Sequence, residues 1–230
     1  MPQNIIEKGK YKGFIFDLDG TIADTIGDIT NAMNLMRRSY NLDNVGRDEV
    51  LKHINLGAIN VISGVLPENF RNDDILREAL ARYSQFYSEH IVEKTYAYAG
   101  VKELIQNLYE KGFKICVLSN KHDKLTKAIV KTLFSEQYFV EILGASEQFP
   151  HKPDPASSIY LAEKMQLSRN EIIFIGDSNI DMETAKNADM FAVGVSWGYR
   201  SIDVLEQSGA MLIIREPKDL FDFLYKNKQL

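Results

Sequence analysis

The chain of 230 residues holds one cysteine, one tryptophan and six prolines, and these shortages remove whole classes of protein. A single thiol cannot close an intrachain disulfide, which excludes a stapled secreted scaffold. Cys116 lies in the apolar run 115–118 and reads as a buried, reduced thiol, so a reducing, cytoplasmic compartment is expected. No stretch approaches the ~20 apolar residues of a membrane-spanning helix, and residues 1–12 are mixed and polar, without the apolar core of a leader. Excess positive charge is also missing: 27 Lys and Arg stand against 32 Asp and Glu, for a net charge of -5. With its lysines scattered among acids, the chain has no basic stripe for a nucleic-acid backbone. The expected partner is a small molecule, with neither nucleic acid nor membrane, and the expected assembly is a monomer or small homo-oligomer.

What is present is an alternation. Short β-rich apolar runs at 13–16, 114–118, 140–143, 172–175, 191–195 and 211–214 are separated by stretches with helical spacing at 101–111, 124–134, 155–165, 180–187 and 201–207, and 218–225 would close the chain. Such alternation predicts an α/β fold with a parallel sheet flanked by helices. Residues 24–94 break the rule. They show only helical periodicity, at 29–40, 48–55, 58–65 and 73–90, which predicts an all-helical domain inserted into a core made of 1–23 and 95–230. The return point falls at 95–100.

Four segments carry the chemistry. The first apolar strand runs straight into Asp17-Leu-Asp19-Gly-Thr21, two acids that can converge on one site at a strand's carboxyl end, with Gly20 allowing a turn closed to residues bearing a Cβ. An acid beside so apolar a strand is costly unless it is used. The second strand ends at Ser119-Asn120, which alone would be an ordinary turn or capping pair. Lys152 stands in His151-Lys-Pro-Asp-Pro155, where prolines stiffen the loop and the ammonium could hold a phosphate as a point charge. The fourth strand ends at Gly176-Asp177, with Asp181 four residues on in the first turn of a predicted helix.

Taken in this order, the segments resemble the haloacid-dehalogenase superfamily, whose motifs run Asp-x-Asp-x-Thr, Ser or Thr, Lys, and Gly-Asp-x-x-x-Asp. The resemblance covers almost the whole chain, including the helical insert after the first motif, which in that superfamily is the type 1 cap. Within it the chain is similar to the phosphoglycolate phosphatase group, on the segments 13–21, 98–101, Ser119-Asn-Lys121 and Ser196-Trp-Gly-Tyr-Arg200. The resemblance implies a Rossmann-like core and a phosphatase acting on a small phosphorylated metabolite through an aspartyl phosphate on Asp17. It also implies Mg²⁺ held by Asp17, the main chain of Asp19 and Asp177. Asp19 would serve as acid and base, Ser119, Asn120 and Lys152 would hold the transferring group, and Asp181 would orient waters or Lys152. Thr21 would tighten the turn through a local hydrogen bond, and Gly20 would act as the hinge for closure of the insert.

A phosphomutase or a pyrophosphatase on the same scaffold would use the same acids. The segment Asp24-Thr-Ile-Gly-Asp28 carries neither the His nor the cation expected of the mutases, which favours hydrolysis. Retention of Asp19 disfavours phosphonate and haloacid chemistry, and with every acid present an idle binding module is disfavoured too. Arg37, Arg38, His53, Arg71 and Arg82 of the insert are candidate substrate contacts; Trp197, Tyr199 and Arg200 could border the site or simply pack.

Overall fold

The computed structural model describes residues 9–54 and 57–225. Six parallel strands form one sheet in the order β5-β4-β1-β6-β7-β8. They are β1 (Gly13–Phe16), β4 (Lys114–His122), β5 (Glu141–Ala145), β6 (Ile172–Gly176), β7 (Phe191–Val195) and β8 (Leu212–Ile214). Alternate side chains of the sheet serve two separate apolar layers, as the pleat requires. Phe14, Phe16, Ile115, Val117, Ile173 and Ile175 face the layer that holds α5 (Val101–Glu110), α6 (Asp123–Leu133) and α10 (Lys218–Tyr225). Ile15, Cys116, Leu118, Ile172 and Phe174 face the layer of α7 (Ala156–Met165), α8 (Asn179–Asn187) and α9 (Ile202–Gln207). A sheet covered on both faces accounts for the almost unbroken apolar character of its strands.

The insert consists of α1 (Ile26–Arg38), α2 (Arg47–His53), α3 (Ala58–Val65) and α4 (Asp73–Glu89). Met33, Met36, Val50, Ile62, Ala79 and Tyr87 make its core, which is continuous with one layer of the sheet. Residue 55, the last of the second expected helix, and residue 56 lie outside the described residues, as does most of the 1–12 segment. Among the described residues no helix is long and apolar enough to cross a membrane.

Two features depart from the sequence expectation. The chain leaves for the insert and returns from it through a two-stranded antiparallel ribbon, β2 (Ala23–Asp24) against β3 (Tyr96–Ala97), with Ala23 opposite Ala97. Two-residue strands have no period to detect, so only the return point was legible. Asp28, buried in the first turn of α1, reinforces the ribbon by accepting from the Lys94 and Thr95 N–H groups, each at 2.9 Å, and from the Thr95 hydroxyl at 2.6 Å. The second departure is β4, which runs to His122 instead of ending at 118. A register shift between Leu118 and His122 lets it pair with Ala145 and carries Ser119, Asn120 and Lys121 on the strand itself.

Candidate active site

The strand order explains why the motifs meet. Residues Phe16, Val117 and Ile175 stand side by side at the carboxyl ends of β1, β4 and β6, so the segments that follow emerge into one crevice where the chain order reverses direction across the sheet. Asp17 leaves β1, Ser119 and Asn120 lie on β4, and Asp177 leaves β6. Asp181 sits on the first turn of α8, where it forms a capping box with Ser178.

At the centre is the Lys152 ammonium, 2.7 Å from Asp17 Oδ1 and 2.6 Å from Asp181 Oδ1, with the Leu118 carbonyl oxygen at 3.3 Å. All three side chains are buried. Asp181 Oδ2 accepts from the Ser178 N–H at 3.1 Å and the Ser178 hydroxyl at 2.6 Å, so both of its oxygens are committed. Asp177 differs: Oδ2 accepts from the Tyr199 N–H at 2.6 Å, whereas Oδ1 has no partner among the described residues although it is fully buried. One oxygen each from Asp17, Asp177 and Asp181 falls within 4.8 Å of the others.

The charges do not balance within the protein. Three buried carboxylates face one ammonium, an excess of two negative charges in a region where an unpaired buried charge costs several kcal/mol. Burial, and next the neighbouring Asp181, push the Asp17 carboxyl up to about 7, against the pull of Lys152. Burial, then Asp181 and Asp17, hold the Asp177 carboxyl well above its usual range. A divalent cation with oxygen ligands meets each of these demands: it balances the charge, gives Asp177 Oδ1 a partner and favours the ionised carboxylates. The donor set therefore fits Mg²⁺.

Asp19 points to the other side of the crevice. Its Oδ1 accepts from the Thr25 hydroxyl and lies 2.9 Å from the Lys121 ammonium, which also sits 4.8 Å from the centre of the Tyr87 ring. Sequence reasoning did not single out Lys121 or Thr25 as site residues. A lysine at a strand end resembles any surface lysine, and only burial of its side chain beside Asp19 distinguishes it.

Three expected residues behave in particular ways. Ser119 accepts from the Lys121 N–H at 3.1 Å, which leaves its own hydroxyl proton to be donated elsewhere. Asn120 accepts from the Lys152 N–H at 2.8 Å and donates to the Lys152 carbonyl at 3.0 Å, so its amide pins the lysine loop. Thr21 is buried and its hydroxyl has no partner among the described residues. The turn is closed by main-chain bonds instead, from the Thr21, Ile22 and Ala23 N–H groups to the Leu18 carbonyl. The expected side-chain hydrogen bond of Thr21 is thus replaced by backbone ones.

Two glycines leave room for Asp177. A Cβ at Gly20, whose φ is +87°, would overlap Asp177 Oδ2, and one at Gly198 would overlap the Asp177 side chain and the Gly20 carbonyl oxygen. The loop that carries Gly198 also reaches the insert. The Tyr199 hydroxyl accepts from the Thr25 and Ile26 N–H groups at 2.9 and 3.1 Å and donates to Asp24 Oδ1 at 3.2 Å. Arg200 donates to the carbonyls of Leu51 and Ile54 at 2.9 and 3.3 Å, at the end of α2. Of the three residues of this loop, Tyr199 borders the acid cluster through its amide, Arg200 packs against the insert, and Trp197 donates its indole N–H to the Thr21 carbonyl at 3.0 Å.

A cavity of about 640 Å³ opens above Asp17 and Asp19, between the carboxyl ends of the strands and helices α3 and α4. None of Arg37, Arg38, His53, Arg71 and Arg82 lines it.

Residues 14–195 match the family described as haloacid dehalogenase-like hydrolase. The chain belongs to that family. It is 30% identical to a phosphoglycolate phosphatase of Photobacterium profundum over 92% of this chain and 94% of that protein. It is likewise 30% identical to one from Vibrio vulnificus over 80% of this chain and 83% of the other. Among solved structures, a phosphoglycolate phosphatase assigned by prediction in Haemophilus somnus superposes with a TM-score of 0.86 at 26% identity, covering 93% of this chain and 98% of that one.

Proposed function

We propose that the chain is a Mg²⁺-dependent phosphomonoester hydrolase that works through an aspartyl phosphate on Asp17. The observation that carries this reading is the buried cluster of three carboxylates and one ammonium opening onto the cavity, with an Asp177 oxygen left for a cation. The names of the relatives support the same reaction class. In this reading residues 24–94 form the cap, whose sides close the cavity over the strand ends.

Hydrolysis of a phosphate ester requires the phosphoryl charge to be neutralised and a nucleophile to be held in line. Asp17, Asp177 and the main chain of Asp19 would hold Mg²⁺, which when bound supplies a positive charge for the phosphoryl oxygens. Lys152, anchored by Asp181 and by the Asn120 clamp on its main chain, favours the ionised form of Asp17 together with the cation and meets a further phosphoryl oxygen, as does the Ser119 hydroxyl. An Asp17 oxygen bonds to phosphorus as the ester P–O bond breaks, and Asp19 gives its proton to the departing alkoxide. Water then attacks the phosphoryl group, returns a proton to Asp19 and releases Asp17 and inorganic phosphate. Thr25 and Lys121 both contact Asp19 through Oδ1, so in this reading the shuttled proton would travel on Oδ2.

The test is phosphate release from a panel of phosphomonoesters and pyrophosphate by the wild type and Asp17→Asn, with Mg²⁺ and with chelator. Turnover of a monoester by the wild type alone, and only with metal, supports the reading. Equal turnover by Asp17→Asn would remove Asp17 as the nucleophile, and preference for pyrophosphate would change the substrate class.

A further inference from the structure

We infer that the leaving group is an uncharged, mainly apolar alcohol several carbons long, so that the preferred substrate carries its phosphate as its only anion. This rests on the hydrolase reading and narrows its substrate.

The wall opposite the catalytic acids is built from Ile29, Ile54, Ile59, Val61, Leu80 and Tyr83. The cavity's volume of about 640 Å³ falls in the range of sites that enclose ligands, ~300–1,000 Å³, and such sites have mostly apolar linings. A two-carbon leaving group would leave most of that wall uncovered.

Charge is more decisive than size. A substrate with a second anion, such as a carboxylate on the leaving group, needs a cation to replace the water it loses. No lysine or arginine of the insert lines the cavity among the described residues. Four of the insert's arginines are used elsewhere: Arg37 binds the Asp43 and Val65 carbonyls, Arg71 the Leu66 carbonyl, Arg82 Glu78, and Arg47 Asp24. The two lysines that do line it are held at the reacting end, Lys152 by Asp17 and Asp181 and Lys121 by Asp19. The remaining basic groups on the lining are His122 and His151, both exposed, on the core side of the opening with Glu147. His151 lies against the backbone at Gly57, its ring within 3.1 Å of where a Cβ would stand.

The experiment is a kcat/KM series on the intact, Mg²⁺-loaded protein with ethyl, butyl and hexyl phosphate and with phosphoglycolate. Each methylene moved from water onto the wall is worth up to ~0.8 kcal/mol, about fourfold. Hexyl phosphate is therefore expected to exceed ethyl phosphate by on the order of 100-fold, with phosphoglycolate at or below ethyl phosphate. Leu80→Asp and, from a different helix, Ile59→Asp should each shrink the hexyl-to-ethyl ratio at least tenfold. A flat series, phosphoglycolate as the best substrate, or an unchanged ratio in both folded variants would overturn the inference while leaving the hydrolase intact. Absence of phosphate release from every ester, or full release by Asp17→Asn, would overturn the hydrolase reading and this inference with it.

Discussion

Replacing Lys152 with methionine keeps most of the side-chain volume and removes the one positive charge among Asp17, Asp177 and Asp181. The ammonium lies within 2.7 Å of two of these acids, and its side chain is 4% exposed. Deleting one partner of a buried pair typically costs about 3–5 kcal/mol, and for a chain of this size that converts to a Tm lower by roughly 6–20 °C. The loss must depend on pH. Without metal, burial and Asp181 push Asp17 up to about 7, and Asp177 is also raised, so the folded protein retains protons that the unfolded chain releases above about pH 4. The contribution of the Asp17 carboxyl to stability is thus fully present below about pH 4 and is lost as pH rises through about 7. Lys152 opposes that loss by compensating the ionised forms. Calorimetry in chelator should accordingly show a smaller deficit for Lys152→Met at pH 5, where Asp17 is largely protonated and chiefly the contact with Asp181 is lost, than at pH 8. Equal Tm values at pH 8, or a deficit of the same size at both pH values, would refute the charge balance drawn above.

Metal addition provides a complementary measurement. Mg²⁺ at about 100 times its Kd should stabilise the wild type by ~2.7 kcal/mol, roughly 5–11 °C in Tm, at pH 8, and by less at pH 5, where protons compete for the ligand carboxylates; no shift at pH 8 would argue against a cation at this cluster. Gly198→Ala should weaken Mg²⁺ binding at least tenfold, ~1.4 kcal/mol, because its Cβ would displace Asp177; isothermal titration that finds unchanged affinity would show that the loop gives way instead.

Much of the site was legible because its acids interrupt apolar strands. Asp17 and Asp177 each follow a run with no polar residue, and the cost of placing an idle carboxylate there makes both conspicuous in the bare order of residues. The paired use of Asp181, in a capping box and on Lys152, was half visible, since the cap follows from spacing and the ion pair does not. The ribbon between core and insert was missed for a different reason. It has two residues in each strand, and its reinforcement depends on Asp28 reaching the return segment at Thr95, a contact across 67 positions. Lys121 and Gly198 lie in segments that carried the resemblance but were given no role, because each is ordinary in type. One matters through burial beside Asp19, and the other through the space it leaves for Asp177.

Tyr199 touches two parts of the molecule with two chemically independent groups. Its amide proton holds Asp177, and its phenol holds the start of α1 through Thr25, Ile26 and Asp24. An amide survives every substitution except proline, whereas a phenol disappears in phenylalanine. The residue is therefore divisible: the tie to the insert can be cut while the tie to the carboxylate persists, and the ring that fills the space between them is unchanged. A single oxygen atom separates the anchoring of the insert from the integrity of the acid cluster, and that makes position 199 the place where the two can be studied apart.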